Sequence, residues 1–347
     1  MRILLIRTSA LGDIVHSLPV LTALRRRMPA ARIGWVVEEG LAPLLAGHPD
    51  LDVILPVALR RWRHRPLAPS TMRAVRSSIA GLRAFRADLA IDLMGNHKAG
   101  ILARLSGAPV RLGARRVDRR EPSSVLWINR SVALSGDHAA ARSLSILAGL
   151  DGSDEPPDFG PREILAATPS EIGDWLARRN GTRFAFIHPG AAWINKRYPV
   201  AAWAAVVREL HARGSLATVV GAAPGEEGMA EEIRIASGNL AEVVPAPSLG
   251  HLAALLRAAA IVLGGDTGPM HLAHALGVPV IMLMGPTDPT RHGPFGAPEA
   301  AMVERLPCSF CYRRLDEIKP CMLAHNPRAV VDRALERLRA LAPAPLC

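Results

Sequence analysis

The stretch Gly264-Gly265-Asp266-Thr267-Gly268-Pro269-Met270-His271-Leu272-Ala273-His274-Ala275-Leu276-Gly277 decides the fold. It follows the apolar run 259–263 and precedes a second apolar run, 278–284. This order predicts a buried strand, a glycine turn, a short helix and another buried strand. Strands and helices in alternation are typical of an α/β protein with a parallel sheet.

The same stretch predicts an anion-binding site. Asp266 or Thr267 suits the helix cap, Pro269 suits the first helical position, and Gly277 suits a left-handed helix end. A helix that starts at the end of a buried strand directs unpaired N–H groups and a positive dipole end toward its ligand, for which phosphate is well suited. The residues alone leave open the alternative that this is only a well-capped turn.

The composition indicates a globular and basic protein. The chain has 347 residues, enough for two domains, and 49% of them are hydrophobic but only 4% aromatic, which favours helices packed on buried parallel strands. Its net charge of +11 predicts attraction to nucleic acid, an anionic membrane face or a phosphorylated substrate. No signal peptide and no run of about 20 apolar residues is evident, so we expect a cytoplasmic, peripheral protein.

Polar loops follow the strands predicted in the first half. Ser9 and Asp13 come after the first strand, where open α/β folds keep their chemistry, so Asp13 is a candidate base. Its alternative role is to cap the next helix. The basic run 60–65 follows the strand predicted at 51–57, and arginine binds phosphates or carboxylates bidentately. Neither Gly-x-Gly-x-x-Gly nor a Walker motif occurs, so an NAD site and a P-loop are not supported.

The series of strands and helices restarts after a linker at 151–161 that is rich in proline, glycine and acidic residues. We therefore predict two Rossmann-like domains that face each other across a cleft. The expected boundaries are 1–160 for the first domain and 161–325 for the second. A tail at 326–347 is expected to carry a helix that crosses back to the first domain.

Six motifs, in order along the chain, resemble one family. They lie at 8–16, 35–40, 56–63, 120–122, 265–272 and 285–289. Together they resemble the bacterial lipopolysaccharide heptosyltransferases, ADP-heptose transferases of glycosyltransferase family 9, and within them the heptosyltransferase I branch. The resemblance implies a GT-B fold, which is α/β with two Rossmann-like domains. It also implies transfer of L-glycero-D-manno-heptose from ADP-heptose to the Kdo region of lipid A in lipopolysaccharide inner-core synthesis.

The resemblance implies an inverting reaction that needs neither a metal nor a cofactor. Asp13 would take the proton of the acceptor hydroxyl, while the anomeric carbon of the donor passes through an oxocarbenium-like state. Lys196 and the helix start at Thr267 and Gly268 would stabilise the negative charge left on the ADP diphosphate.

Binding roles follow from the same resemblance. Asp266 would contact the heptose hydroxyls, His271 would support the diphosphate or the sugar, and Glu226 or Glu227 would bind the adenosine ribose. The anionic acceptor, Kdo-bearing lipid A, would be bound by Ser9, Arg60, Arg61, Arg63 and Arg120. Such an acceptor implies a protein peripheral on the cytoplasmic face of the inner membrane, without a nucleic-acid partner.

Two features depart from the family pattern. The family often has hydroxyl residues after the strand that precedes the catalytic lysine, where this chain has Gly190-Ala191-Ala192, so some phosphate contacts would be backbone contacts or absent. The segment 308–325, at the end of the second domain, carries Cys308, Cys311, Cys321 and His325, spaced Cys-x2-Cys and Cys-x3-His. This set either ligates zinc or consists of reduced cysteines in a packed segment. Similar cysteine-bearing segments occur in heptosyltransferase II-like relatives.

Three alternatives stay open on the sequence. The first is heptosyltransferase II or another GT-B transferase with a different nucleotide-sugar, and the second is a nucleotide-sugar epimerase of the same shape. The third is a basic nucleic-acid-binding protein, although no helix-turn-helix, zinc finger or RNA-binding aromatic motif is present. Binding to duplex DNA with a steep salt dependence would identify that third class.

Overall fold

The computed structural model of the chain describes residues 1–150, 156–161, 168–213 and 216–341. The chain divides into two compact units, Met1–Leu165 and Ala166–Cys347. Most of the predicted linker's acidic part, 151–155, and the end of the tail, 342–347, lie outside the described residues.

The first unit is built on a six-stranded parallel sheet in the order β3-β2-β1-β4-β5-β6. Its strands are β1 (Arg2–Ile6), β2 (Arg32–Glu38), β3 (Val53–Val57), β4 (Leu89–Asp92), β5 (Val110–Ala114) and β6 (Arg130–Val132). Its α-helices are α1 (Leu11–Val15), α2 (Leu18–Arg27), α3 (Leu59–His64), α4 (Pro69–Ala84), α5 (His97–Leu105) and α6 (Ala139–Leu144). Short 3-10 helices lie at Glu39–Leu45, Arg116–Asp118, Pro122–Trp127 and Ser145–Gly149.

The second unit repeats the plan with the sheet order β12-β11-β10-β7-β8-β9. Its strands are β7 (Phe184–His188), β8 (Ala217–Ala222), β9 (Ala241–Pro245), β10 (Ile261–Gly265), β11 (Val280–Met284) and β12 (Ala301–Val303). Its α-helices are α7 (Ser170–Arg178), α8 (Val200–Ala212), α9 (Glu227–Ala236), α10 (Leu249–Ala258), α11 (Gly268–Ala275), α12 (Pro289–His292), α13 (Pro320–Leu323) and α14 (Pro327–Ala340). Two 3-10 helices lie at Ile194–Lys196 and Pro298–Ala300.

Both sheets reverse their strand order at one point, between β1 and β4 in the first and between β7 and β10 in the second. In each unit the first three strands run outward one way and the last three the other way, which is the doubly wound Rossmann arrangement. Ligands of such sheets bind outside the carboxyl ends of the strands at this reversal. The loops after β1, β7 and β10 are therefore the first places to examine.

The core of the second unit explains where the last helix lies. Apolar residues of β7, β8, β10 and β11 pack with Trp203 and Val207 of α8 and with Val330 and Val331 of α14. The buried face of α14 packs on α8 and β11, because its valines complete the apolar cluster of the second unit. That the tail at 326–347 crosses back to the first domain stays a prediction.

One predicted helix is shorter than expected. The pattern at 137–150 predicts a single helix, but α6 ends at Leu144 and a 3-10 helix follows. Ser145 explains the change: its hydroxyl donates to Arg142 O at 2.8 Å and accepts from Ser135 N at 3.0 Å. Serine side chains that bond to nearby backbone in this way compete with regular helix hydrogen bonds.

Candidate functional site

A buried ion pair lies at the strand reversal of the second sheet. Lys196 Nζ lies 2.6 Å from Asp266 Oδ2 and 3.4 Å from the Asp266 carbonyl oxygen. Lys196 ends the turn that follows β7, and Asp266 directly follows β10, the adjacent strand. The ammonium also lies 4.8 Å from the ring centroid of Trp193. These contacts fix a cation at the carboxyl edge of the sheet.

The Asp266 carboxylate binds three side chains. Besides Lys196, Thr287 donates its hydroxyl to Oδ2 at 2.6 Å, and His271 Nε2 lies 2.9 Å from Oδ1. Burial alone would raise the pKa of Asp266, but the hydrogen bond from His271 and the nearby cations outweigh burial and hold that pKa well below its usual range. Asp266 is therefore ionised and acts on its neighbours as a fixed negative charge.

Helix α11 starts at this ion pair, though it is capped differently from the prediction. Thr267 occupies the cap position, but its side chain makes no capping hydrogen bond, and its buried Oγ1 has no partner among the described residues. Asp266 does not cap the helix either, because its carboxylate is turned to Lys196, Thr287 and His271. The helix end is as predicted, since Gly277 has a φ of +76°.

Glycine lets the two loops approach closely. A Cβ on Gly265 would lie 2.6 Å from the carbonyl oxygen of Lys196, a distance that real Cβ atoms essentially never show. The position of the Lys196 backbone therefore depends on the absence of a side chain at Gly265. This contact is the physical reason for a glycine at the end of β10.

Glu226 and Glu227 lie after β8, and they differ in burial and in hydrogen bonding. The Glu226 carboxylate occupies the space above Gly190, where a Cβ would come within 1.9 Å of Oε1. Its Oε2 is buried without a hydrogen-bond partner in the described residues. Burial raises the pKa of Glu226 despite the opposing charge of Arg197. Glu227 is exposed and accepts a hydrogen bond from Gly225 N at 2.8 Å, so Glu226 is the better placed of the two for a ligand.

In the first unit, Asp13 pairs with Arg7. Arg7 Nη2 lies 2.8 Å from Asp13 Oδ1, and Ala10 N donates to Asp13 Oδ2 at 3.0 Å. Asp13 is the third residue of α1, and its carboxylate accepts from the backbone of the cap residue Ala10, so it supports the start of its own helix and does not cap the next one. The carboxylate is partly exposed and lies beside an arginine. Ser9 lies in the same loop and is half-buried.

The four arginines predicted to bind the acceptor are all exposed: Arg60, Arg61, Arg63 and Arg120. Arg61 pairs with Glu39 at 3.1 Å, and the backbone N–H of Arg60 donates to Glu38 Oε1 at 3.0 Å. Arg120 follows Arg119, whose buried guanidinium pairs with Asp92 at the end of β4. The structure therefore groups Arg60, Arg61 and Arg63 on α3 and holds Arg120 on a separate loop.

The predicted residues thus fall into separate groups. Lys196, Asp266 and His271 are in direct contact, whereas Glu226 lies against the loop that leads to Lys196. Thr287 was missed. It follows β11, the neighbour of β10, so its position after a parallel strand could have indicated it. Arg7 was also missed. The sequence feature that could have indicated it is its position directly after β1, at the carboxyl edge of the sheet.

Two histidines near this edge are neutral at pH 7. Burial lowers the pKa of His188, the last residue of β7, to about 4. Burial also lowers the pKa of His292, in α12, to about 4, against the opposing attraction of Asp266. His292 was not singled out in the sequence analysis either, because a lone histidine carries little signal before its surroundings are known.

The cysteines of the segment 308–325 are free thiols. Cys308 and Cys311 are exposed, and Cys321 is buried. Burial raises the pKa of Cys321, with a further contribution from the neighbouring Cys308 and Cys311. Across the part of the chain that the structure describes, no group of three or more His, Cys, Asp or Glu residues is arranged to hold a metal ion. His325 Nε2 lies 3.0 Å from Met284 O.

In the second unit, Lys196 and the start of α11 meet at the strand reversal of a Rossmann-like sheet, an arrangement typical of anion-binding sites. Residues 75–322 match the model of glycosyltransferase family 9 (heptosyltransferase). The lipopolysaccharide heptosyltransferase 1 of Pseudomonas aeruginosa is 32% identical over 329 residues, which cover 92% of this chain and 88% of that protein. The chain therefore belongs to glycosyltransferase family 9, and it is an enzyme.

Solved structures agree with this assignment. Escherichia coli heptosyltransferase WaaC with ADP superimposes with a TM-score of 0.81 at 28% identity, covering 97% of this chain and 100% of that one. The same enzyme with ADP-2-deoxy-2-fluoro heptose gives a TM-score of 0.77, covering 97% and 99%. These similarities confirm the predicted GT-B class of fold. Among the described helices, none is long and apolar enough to cross a membrane.

Proposed function

We propose that this enzyme transfers L-glycero-D-manno-heptose from ADP-heptose to the Kdo region of lipid A, as an inverting heptosyltransferase of type I. The observation that carries the proposal is the Lys196 ammonium, fixed by Asp266 beside the start of α11. A positive charge and free helix N–H groups at one place suit a leaving diphosphate. Relatives named heptosyltransferase 1 and a solved complex with an ADP-heptose analogue support the choice of sugar and nucleotide.

The donor is assigned to the second unit. Lys196 stabilises the charge that grows on the diphosphate as the bond between the anomeric carbon and the phosphate oxygen breaks. Thr267 and Gly268, at the start of α11, offer backbone N–H groups and a hydroxyl that has no partner among the described residues to the same phosphates. These groups supply the charge stabilisation that a metal gives in other transferases.

The adenosine ribose is assigned to Glu226. Its buried Oε2 lacks a hydrogen-bond partner in the described structure, and a ribose offers two hydroxyl donors. Such a contact would satisfy a carboxylate oxygen for which the described residues provide no donor. Asp266 and His271 would approach the heptose or the diphosphate, with Asp266 also positioning Lys196 through their ion pair.

The acceptor is assigned to the first unit. Asp13 takes the proton of the acceptor hydroxyl as its oxygen forms a bond to the anomeric carbon, on the face opposite to the departing ADP. Exposed Arg60, Arg61, Arg63 and Arg120, with Ser9, bind the carboxylates and phosphates of the Kdo-bearing lipid A. Because this acceptor is a lipid, the enzyme is placed peripherally on the cytoplasmic face of the inner membrane.

The experiment that tests the proposal is ADP release by the purified chain. ADP-L-glycero-β-D-manno-heptose is supplied with or without Kdo2-lipid A, in the presence of a chelator. We expect release that depends on Kdo2-lipid A and survives the chelator. Turnover only with an already heptosylated core would overturn the type I assignment in favour of heptosyltransferase II, and dependence on an added divalent metal would overturn the role of Lys196 and α11 in charge stabilisation.

A further inference from the structure

A strongly basic segment without carboxylates spans residues 59–87. It contains eight arginines and one histidine and no aspartate or glutamate. All eight arginines are exposed: Arg60, Arg61, Arg63, Arg65, Arg73, Arg76, Arg83 and Arg86. With eight arginines and no carboxylate, this stretch adds a positive field to the surface of the first unit.

Helix α4 places three of these arginines on one face. At 3.6 residues per turn, Met72, Arg73, Arg76 and Arg83 fall within an arc of about 100°. The opposite face is occupied by buried Thr71 and Leu82. Because that opposite face packs in the core of the first unit, the orientation of the arginines is fixed by the fold.

These arginines are little neutralised within the protein. Arg61 pairs with Glu39, and Arg83 donates to Leu105 O at 3.4 Å. Within the described parts of the chain, Arg63, Arg65, Arg73, Arg76 and Arg86 form no ion pair with a carboxylate. Their charge is thus available to a partner.

Apolar side chains project from the same region. Leu67, in the turn between α3 and α4, is 86% exposed, and Met72, in the first turn of α4, is 46% exposed. Leu67 lies between Pro66 and Pro69, which restrict the backbone of the turn. An exposed leucine within a cluster of arginines suits a partner that is both anionic and apolar.

We propose that the surface formed by Leu67, Met72, Arg65, Arg73 and Arg76, here called the α3–α4 surface, docks the enzyme onto an anionic phospholipid bilayer. The arginines contact lipid phosphates, and Leu67 and Met72 enter the boundary between headgroups and acyl chains. This inference deepens the peripheral placement proposed above and does not depend on the transfer reaction. It places the docking surface directly next to Arg60, Arg61 and Arg63 of α3, so that a lipid-borne acceptor would be bound without leaving the bilayer.

The bilayer fits these observations better than a polyanion such as duplex DNA. A nucleic-acid surface needs cations and polar groups toward phosphates, and it gains nothing from an exposed leucine between two prolines. A membrane surface uses both the charge and the apolar side chains, because each interaction adds to the other. Leu67 is therefore the residue that distinguishes the two partners.

The test is co-sedimentation of the full-length chain with vesicles, without donor or acceptor. Vesicles of phosphatidylcholine alone are compared with vesicles that contain about 30% phosphatidylglycerol. We expect binding to the anionic vesicles only, weakening as salt is raised. Arg73→Gln with Arg76→Gln should lower the affinity about five-fold for each arginine, or roughly 20- to 30-fold together. Leu67→Gln should lower it about ten-fold, because a leucine contact with the acyl region is lost.

The matched control is Arg178→Gln with Arg183→Gln, which removes the same charge from exposed arginines of the second unit. This variant should bind vesicles almost as the unchanged chain does. Equal weakening by both pairs would overturn the proposal, because net charge alone would then explain binding. An unchanged affinity of Leu67→Gln, or retention by duplex DNA but not by anionic vesicles, would also overturn it. If the vesicle experiment contradicted the docking surface, the transferase proposal would be unaffected, because acceptor-dependent ADP release tests it separately.

Discussion

Asp266 links Lys196, His271 and Thr287 at the proposed donor site. Its two oxygens bind Lys196, Thr287 and His271, and the residue is 6% exposed. A buried carboxylate is costly unless charges and hydrogen bonds satisfy it, and here both oxygens have partners. Removing one partner would leave part of this charge unbalanced, so each partner contributes to the position of Lys196.

Thr287 offers a direct test of this arrangement. Thr287→Val keeps the side-chain shape but removes the hydroxyl that donates to Asp266. We expect a loss of about 1.5–3 kcal/mol in the free energy of unfolding, because a buried hydrogen bond to a charged group is lost. ADP affinity should also fall. Without the Thr287 hydroxyl, the Asp266 carboxylate that pairs with Lys196 has one partner fewer to fix its position.

Thr287→Ser is the control, because it retains the hydroxyl. Chemical denaturation and ADP titration of the two variants provide the measurements. Valine and serine variants with the same ADP affinity would show that Thr287 does not position the donor site.

The sequence predicted these residues singly, not their contacts. Lys196 and Asp266 were both assigned to the donor, but they are 70 positions apart, and the strand-end argument brings loops together without specifying which side chains meet. Thr287 lay in a quoted motif without a role. Asp266 or Thr267 was expected to cap α11 through its side chain, but the Asp266 carboxylate is bound by tertiary contacts, and the Thr267 hydroxyl has no partner in the described residues.

Strand β10 and helix α11 act together as one structural element of the site. The strand ends in Gly264 and Gly265, and the helix begins three residues after Gly265, so the ion pair lies in the connection. A Cβ at Gly264 would meet Met270 Sδ at 2.6 Å, and one at Gly265 would meet the Lys196 backbone. Close packing therefore fixes this turn from both sides.

Gly265→Ala should disturb the site through this element. The added methyl group would force the Lys196 carbonyl away, and an overpacked site of this kind loses about 1–3 kcal/mol of stability. ADP affinity should fall with it. Gly228→Ala in α9 is the matched control, since a Cβ there meets nothing within 4 Å and alanine favours a helix.

Thermal unfolding and ADP titration of both alanine variants give the comparison. If Gly265→Ala were as stable and bound ADP as well as Gly228→Ala, the close approach of β10 to Lys196 would not matter for the site.

Element types were easier to predict than their ends. The strand predicted at 51–57 is present as β3, Val53–Val57, and is two residues shorter than predicted. Apolar runs fix the type because a parallel sheet buries whole strands. The helix at 137–150 was divided by a serine side chain, which a pattern of apolar residues does not reveal.

The two units repeat one architecture but differ in charge and chemistry. Both sheets place polar loops at the carboxyl ends of their strands, which the order of elements predicted. The packing of α14 on α8 depends on which apolar surface was left uncovered, and the sequence does not show that.

Stability should fall in mild acid, and His188 should account for part of the loss. Its pKa is about 4 in the folded chain and about 6.5 when unfolded, so the unfolded chain binds the proton more tightly. Stability is full above pH 6.5 and is lost as the pH falls toward 4. Between pH 7 and pH 5, the stability difference between the unchanged chain and His188→Asn should change by about 2 kcal/mol.

Urea unfolding at the two pH values measures this change. His292 has a similarly low pKa and remains in both proteins, so it cancels in the difference, as does Asp266, whose lowered pKa acts below this range. A difference that stays constant between pH 7 and pH 5 would mean that His188 is not held neutral by burial.

The central claim is that Asp13 acts as the base, whereas Lys196 binds the diphosphate and stabilises its charge. Turnover and ADP affinity, measured in the same preparations of Asp13→Asn and Lys196→Met, test this claim. We predict that Asp13→Asn loses about 10²- to 10⁴-fold in turnover, as expected for a general base, and binds ADP normally. Lys196→Met should lose both turnover and ADP affinity. Loss of ADP affinity in Asp13→Asn, or normal ADP binding by Lys196→Met, would contradict the account.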